Sequence, residues 1–130
     1  MNVDVEFIVR LVLAAVAGGL VGFEREKVHK PAGVRTHMLV SLGSALLVLT
    51  TIAVLPEEGG RLVAGIATGV GFLGAGTIFR AKDHVMGLTT AASIWTVAAI
   101  GITLGLGEYV LGAAASILVI LILQLKKIGL

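Results

Sequence analysis

The segment Leu88-Thr89-Thr90-Ala91-Ala92-Ser93-Ile94-Trp95-Thr96-Val97-Ala98-Ala99-Ile100-Gly101-Ile102-Thr103-Leu104-Gly105-Leu106 runs without a charged side chain. At a helical rise of about 1.5 Å per residue it covers a hydrocarbon core of about 30 Å. Working outward, four further apolar runs of similar length appear at Phe7–Phe23, Met38–Leu55, Leu62–Phe79 and Tyr109–Leu125, separated by only a few polar residues. Transmembrane strands alternate polar and apolar residues over about 10 positions, and none of these runs alternates. Composition agrees: 57% of residues are hydrophobic, 14% are charged and the mean hydropathy is +1.04, against roughly 25% charge in soluble domains. The expectation is an all-α membrane protein, a bundle of about five closely packed transmembrane helices forming a single domain over residues 1–130, with no separate soluble domain. The absence of cysteine excludes disulfides and thiolate metal sites.

Charge placement predicts the orientation. Arg25, Lys27, Lys30 and Arg35 follow the first run, Arg80 and Lys82 follow the third, and Lys126 and Lys127 follow the fifth. The opposite side holds Arg61 together with Asp4, Glu6, Glu57, Glu58 and Glu108. The N-terminus is therefore expected outside and the C-terminus in the cytoplasm, with any self-association parallel. The acidic start, with Asp4 and Glu6 ahead of Arg10, argues against cleavage of the first run as a signal peptide after Ala15-Val16-Ala17.

Eighteen glycines in a mostly helical chain point to close approach of backbones, the packing code of membrane helices. Gly18 and Gly22, Gly65 and Gly69, and Gly101 and Gly105 form three GxxxG pairs, and Gly71, Gly74 and Gly76 add small residues to the third run. That run is expected at the centre of the bundle. Packing explains Gly71–Gly76; an interrupted helix exposing backbone at a binding site is the alternative. Helical spacing also gathers His37, Ser41, Ser44, Val48 and Thr51 on one face, and Thr89, Ser93, Thr96, Ile100 and Thr103 on another. Interhelical hydroxyl bonds or a hydrated path would both use such faces. Trp95 lies at mid-depth and reads as a packing anchor, whereas Tyr109 suits the membrane interface.

Polar chemistry collects on the expected cytoplasmic side. Glu24, Arg25, Glu26, Arg35, Thr36, Arg80, Asp83, Thr89 and Thr90 are the candidate ligand- or partner-binding residues, with Thr36 and either Thr89 or Thr90 as candidate helix N-caps. Arginines beside a helix N-terminus suit an anion such as a lipid phosphate or nucleotide. Glu24, Glu26 and Asp83 offer oxygens of the kind Mg2+ prefers. Glu24 and Arg35 are expected to bridge neighbouring helix ends. No nucleophile-and-base arrangement, phosphate-binding loop or dinucleotide motif appears, so no catalytic residue, resident cofactor or nucleic-acid partner is expected, and Mg2+ stays a candidate ligand without an assigned metal site.

Four ordered motifs, Gly19-Leu20-Val21-Gly22-Phe23-Glu24-Arg25-Glu26, Ala32-Gly33-Val34-Arg35-Thr36-His37, Gly71-Phe72-Leu73-Gly74-Ala75-Gly76 and Gly87-Leu88-Thr89-Thr90-Ala91-Ala92-Ser93-Ile94-Trp95, resemble the MgtC/SapB family across essentially the whole chain. The resemblance implies a multi-pass protein of the bacterial inner membrane linked to magnesium homeostasis and, in some pathogens, to survival inside macrophages and restraint of the F-type ATP synthase. Many members continue into a C-terminal cytoplasmic domain, whereas this sequence stops at Lys126-Lys127-Ile128-Gly129-Leu130. It is either a short member or a truncated one. Some relatives carry asparagine where Thr89 stands. Two readings follow: a small membrane regulator acting through helix contacts, as a parallel homodimer or small ring, and a transporter or channel for Mg2+ or another ion. The lack of a mid-span carboxylate favours the regulator.

Overall fold

A computed structural model describes residues 3–130, in the order α1 (Val3–Lys27), α2 (Val34–Val54), α3 (Gly59–Ala75), β1 (Phe79–Ala81), β2 (His84–Met86), α4 (Leu88–Gly105) and α5 (Tyr109–Gln124). Single 3-10 turns precede α3 at Pro56–Glu58 and follow α5 at Leu125–Ile128. The apolar stretches Asp4–Lys27, Val34–Val54, Leu88–Gly105 and Tyr109–Ile128 are long and apolar enough to cross a membrane. At 17 residues, α3 is the short member.

Local chemistry sets these boundaries. The end of α1 is closed by two backbone bonds, His29 N–H to Glu26 O at 3.0 Å and Lys30 N–H to Arg25 O at 3.1 Å, with His29 in the left-handed region at φ 58°. This is the Schellman pattern, and Pro31 then bars continuation. Its effect is to fold Lys30 back onto Arg25. The N-caps are glycines: α2 begins after Gly33 and α4 after the left-handed Gly87, and neither receives a side-chain cap. Thr36, Thr89 and Thr90 therefore lie inside helices rather than capping them. At Gly87 a β-carbon would run into the Thr77 carbonyl, and with φ at +91° only glycine fits there.

The expected third span, Leu62–Phe79, is corrected at both ends. Its helix starts earlier, at Gly59, and stops at Ala75, so Gly71 and Gly74 sit in unbroken helix. Phe79 belongs to a strand. The stretch read as a loop is an antiparallel hairpin pairing Phe79 with Met86, Arg80 with Val85 and Ala81 with His84. Its two-residue turn, Lys82-Asp83, has Lys82 in the left-handed region.

The centre of the bundle is also corrected: it is the seam of α1, α2 and α4, not α3. A β-carbon on Gly18 would lie 2.5 Å from the His37 carbonyl oxygen and one on Gly22 2.6 Å from the Gly33 carbonyl oxygen. On the other side Gly101 faces the Ser41 backbone and Gly105 that of Ala45. Backbones at such distances leave room for hydrogen alone. Val21, Ala45, Val97, Ile94 and Ile100 fill the remaining core. α5 covers α1 and α4, with Leu104 seated against Gly112. α3 lies on the flank, touching α4 where Gly74 meets Ala91 and where the half-exposed Trp95 ring donates Nε1–H to Ala67 O at 3.2 Å. Gly65, Gly69 and Gly71 face open space, and Phe72 is 81% exposed.

The helices alternate in direction, so the chain passes between two ends of the bundle. At the acidic end Arg10 joins its neighbours: Nε bonds Glu6 Oε1 at 3.0 Å and Nη1 bonds Gly105 O at 3.0 Å. Tyr109 donates its hydroxyl to the same Glu6 carboxylate. Arg10 and Glu6 thus form a clasp between α1, the end of α4 and the start of α5. The chain's last residues lie at the other, basic end.

Candidate functional site

Arg25, at the end of α1, is 4% exposed, as is Glu24 before it. An arginine so far out of water ordinarily has its donors satisfied, because an unpaired buried charge is costly. Here Nε is sealed from solvent with no hydrogen-bond partner among the described residues. The ion pairs among the described residues lie elsewhere, at Arg10–Glu6 and Arg61–Glu58. Arg25 instead lines a cavity of about 600 Å3. Its walls bring together His29 and Lys30 from the end of α1, Phe79, His84 and Met86 from the hairpin, Thr89 and Thr90 from the start of α4, and Lys126 from beyond α5.

Three features make the site electropositive. The three cations Arg25, Lys30 and Lys126 line it and no carboxylate does. The first turn of α4 supplies amides without a side-chain cap, at the positive end of an 18-residue helix. Lys126 stands close enough to Lys30 to push the Lys30 ammonium pKa below its ordinary value, with burial and Arg25 acting in the same direction. Glu24 and Lys127 line a smaller cavity of about 190 Å3 that shares Arg25, Lys30 and Lys126.

Beneath the cavity the core is polar. His37 is fully buried, with Nδ1 2.8 Å from Gly33 O and Nε2 2.9 Å from Ser93 Oγ. A carbonyl only accepts, so Nδ1 carries a proton, which leaves Nε2 of a neutral ring as an acceptor facing the Ser93 hydroxyl. Ser93 Oγ also approaches Thr90 O at 2.8 Å, so its single proton has two acceptors. His37 thereby ties the glycine that opens α2 to the first turns of α4.

The expected site residues separate into two groups. Arg25, Thr89 and Thr90 line the large cavity, and Glu24 borders it through the smaller one. Glu26 is exposed and folds its carboxylate over Gly33. Arg35 and Thr36 are exposed on the first turn of α2, and Arg80 and Asp83 on the hairpin. A Glu24–Arg35 bridge is not formed: Glu24 is buried, Arg35 is exposed, and the two make no ion pair. Lys30, Lys126, His37 and Ser93 belong to this region beyond the expected cluster. In the sequence the lysines serve as orientation signals; the Lys30-Pro31 step, which ends α1, is the local signal that could place one of them beside Arg25. Of the packing glycines, Gly18, Gly22, Gly74, Gly101 and Gly105 contact other helices, Gly76 sits in the turn after α3 against Leu73 O, and Gly65, Gly69 and Gly71 contact none. Among the described residues no three His, Asp or Glu side chains group as metal ligands.

Long apolar helices, closed against one another by glycine and carrying their polar groups at the ends, define a multi-pass membrane protein. It belongs to the MgtC family, whose model matches residues 11–128. YhiD of Escherichia coli K12, provisionally named a magnesium transporter, is 44% identical over 128 residues, covering 92% of this chain and 60% of its own. Protein MgtC of Salmonella typhimurium LT2 is 41% identical, covering 88% of this chain and 49% of its own. Protein SrpB of Synechococcus elongatus is 40% identical over 88% of this chain and 71% of its own length. The chain thus spans about half to three-fifths of YhiD and MgtC. No solved structure matches it.

Proposed function

We propose that this protein is a non-enzymatic regulator in the bacterial inner membrane, linked to Mg2+ homeostasis and acting through helix contacts, with the F-type ATP synthase as a candidate partner and virulence as a setting in pathogens. The observation that carries this reading is the α1–α2–α4 seam. Where Gly18, Gly22, Gly101 and Gly105 meet the backbones of neighbouring helices, a hydrated ion has no passage, and Mg2+ gives up its water reluctantly. Ser41 and Ser93 are buried in the core beside that seam. No resident cofactor is assigned, and Mg2+ is kept as a ligand of the wider assembly.

The orientation puts the basic end in the cytoplasm and the N-terminus outside, since eight of the ten lysines and arginines lie at or beside that end. The protein pairs with itself in parallel, as a dimer or small ring. The support is an apolar groove of about 450 Å3 between α2 and α3, lined by Leu39, Gly43, Leu47, Gly65, Gly69 and Leu73.

A second reading, transport of Mg2+ or another ion, rests on the name given to YhiD and would place the path between subunits. Dye-loaded liposomes containing the pure chain separate the two. The expected result is no saturable Mg2+ uptake. Uptake that saturates and is lost in Ser93→Val or Thr96→Val establishes the transporter instead.

A further inference from the structure

We propose that the cavity at the basic end is a binding site for a phosphate group, held by Arg25, Lys30, Lys126 and the first-turn amides of α4. It goes beyond the regulator reading and names a ligand for the cations gathered at that end.

The argument starts from what the chain leaves unmet. Arg25 is carried to the end of α1, withdrawn from water and given no acceptor for Nε. Of the two acids that flank it in sequence, Glu24 opens onto the smaller neighbouring cavity rather than this one, and Glu26 is exposed over Gly33. The Schellman turn then brings Lys30 back over Arg25, through the Lys30 N–H to Arg25 O bond. At the far end of the chain a second closure, Leu130 N–H to Leu125 O at 3.1 Å with Gly129 left-handed, holds the turn that presents Lys126. Two separate helix ends therefore deliver cations to one hollow, although like charges repel. An anion between them removes that repulsion.

The shape of the hollow selects the kind of anion. The α4 N-terminus enters it behind Gly87, which contributes bare backbone to the lining. A phosphate group presents its acceptor oxygens in a tetrahedral array and can take bonds from amides, guanidinium and ammonium approaching from different sides, which a planar carboxylate does less completely. Thr89 and Thr90 add hydroxyls to the lining and His29 and His84 imidazoles, while Pro31, Phe79, Val85, Met86 and Leu88 make the rest of the wall apolar. A phosphate attached to an apolar or cyclic body fits such a wall. An anionic phospholipid headgroup and a free phosphate compound share that chemistry.

The test uses the pure full chain in a phosphate-free maltoside detergent. Inorganic phosphate and dioctanoyl phosphatidylglycerol are titrated separately at matched ionic strength, following thermal melting and 31P line width. At least one probe is expected to raise the melting temperature saturably, and rising salt should weaken it. Saturation by phosphatidylglycerol alone makes the ligand a lipid headgroup, and saturation by inorganic phosphate makes it a free phosphate compound; both sustain the site. Arg25→Gln should abolish binding, but it also alters a buried position. Lys30→Gln combined with Lys126→Gln, at more accessible positions, is the cleaner variant: its ligand-free melting should be no lower than that of the parent, and its affinity about tenfold weaker or more. If neither probe saturates, or if the double lysine variant binds as tightly as the parent, the site is not a phosphate site. Liposome flux judges the regulator reading separately, so a protein that transports Mg2+ yet binds phosphate through these residues leaves this inference standing.

Discussion

Gly101 and Gly105 in α4 and Gly65 and Gly69 in α3 carry the same GxxxG spacing, and the structure treats them in opposite ways. In α4 both glycines press against the backbone of α2, at Ser41 and Ala45. In α3 both look into open space. The difference lies in their surroundings. The α4 pair shares a helix with Thr90, Ser93, Ile94, Val97 and Ile100, all buried, so one broad face is committed to α1 and α2. The α3 pair sits in a shorter helix whose buried side is only Ile66, Val70 and Gly74. A small-residue motif therefore states that close approach is possible, and the rest of the helix decides whether this chain supplies the approaching partner.

Leucine at Gly101 should break the comparison most severely. Its β-carbon would overlap the Ser41 carbonyl, and since backbone cannot rotate away, the cost exceeds the ~1–3 kcal/mol of ordinary overpacking. Little folded protein should survive detergent extraction; a variant that melts like the parent would show that α2 and α4 are not in contact. His37→Ala comes next. It removes the link between Gly33 and Ser93 and opens a cavity, so a loss of about 2–4 kcal/mol is expected by denaturant titration. Ser93→Ala should cost about half of that or less. Gly69→Leu should barely move the melting of the single chain, by less than about 0.5 kcal/mol. Its effect should appear in oligomer size on a sizing column if the α2–α3 groove receives a second copy, and an unchanged size would remove α3 from the interface. The smallest effect belongs to Lys126→Gln. It removes the main cause of the lowered Lys30 pKa, so that pKa should rise toward its ordinary value in a 15N titration. The sign for stability follows: a folded pKa below the unfolded one means the unfolded chain holds more protons as pH rises through that interval, so the parent gains slight stability there and the variant gains less.

Much of this was legible in the sequence, and the exceptions share a cause. Runs of apolar residues at 1.5 Å per residue locate helices because the bilayer imposes one length on all of them. Four of the five meet that length. The third run misled because Gly76-Thr77-Ile78-Phe79 is as apolar as a helix end, while left-handed Lys82 turns the chain into a hairpin and left-handed Gly87 turns it into α4, through backbone angles that hydropathy does not register. The central position of α3 was misjudged for the reason the glycine pairs display. At the basic end, charge marked the region but not the pairing: Glu24 and Arg35 are eleven positions apart with a helix end between them, and the Schellman turn sends Lys30, not Arg35, over the buried Arg25. The cavity depends on Lys126, nearly a hundred residues away, which no local pattern could have joined to it.

The flanking place of α3 also bears on how the chain is made. α1 and α2 are joined by six residues, Val28–Gly33, and can close on each other as soon as Val54 has left the ribosome. Their true third partner, α4, is not complete until Gly105. In the interval the newly made α3 lies beside a hairpin whose glycine and serine face is still bare, and it carries a GxxxG pair of its own. The first helix available to that face is thus the wrong one, and the chain must hold the place open for a segment synthesised later. Ser41 gives the native pairing one means of prevailing, because its carbonyl is met by Gly101 at a distance no side chain would allow. Order of synthesis thus favours α3 at that face, and closeness of fit favours α4.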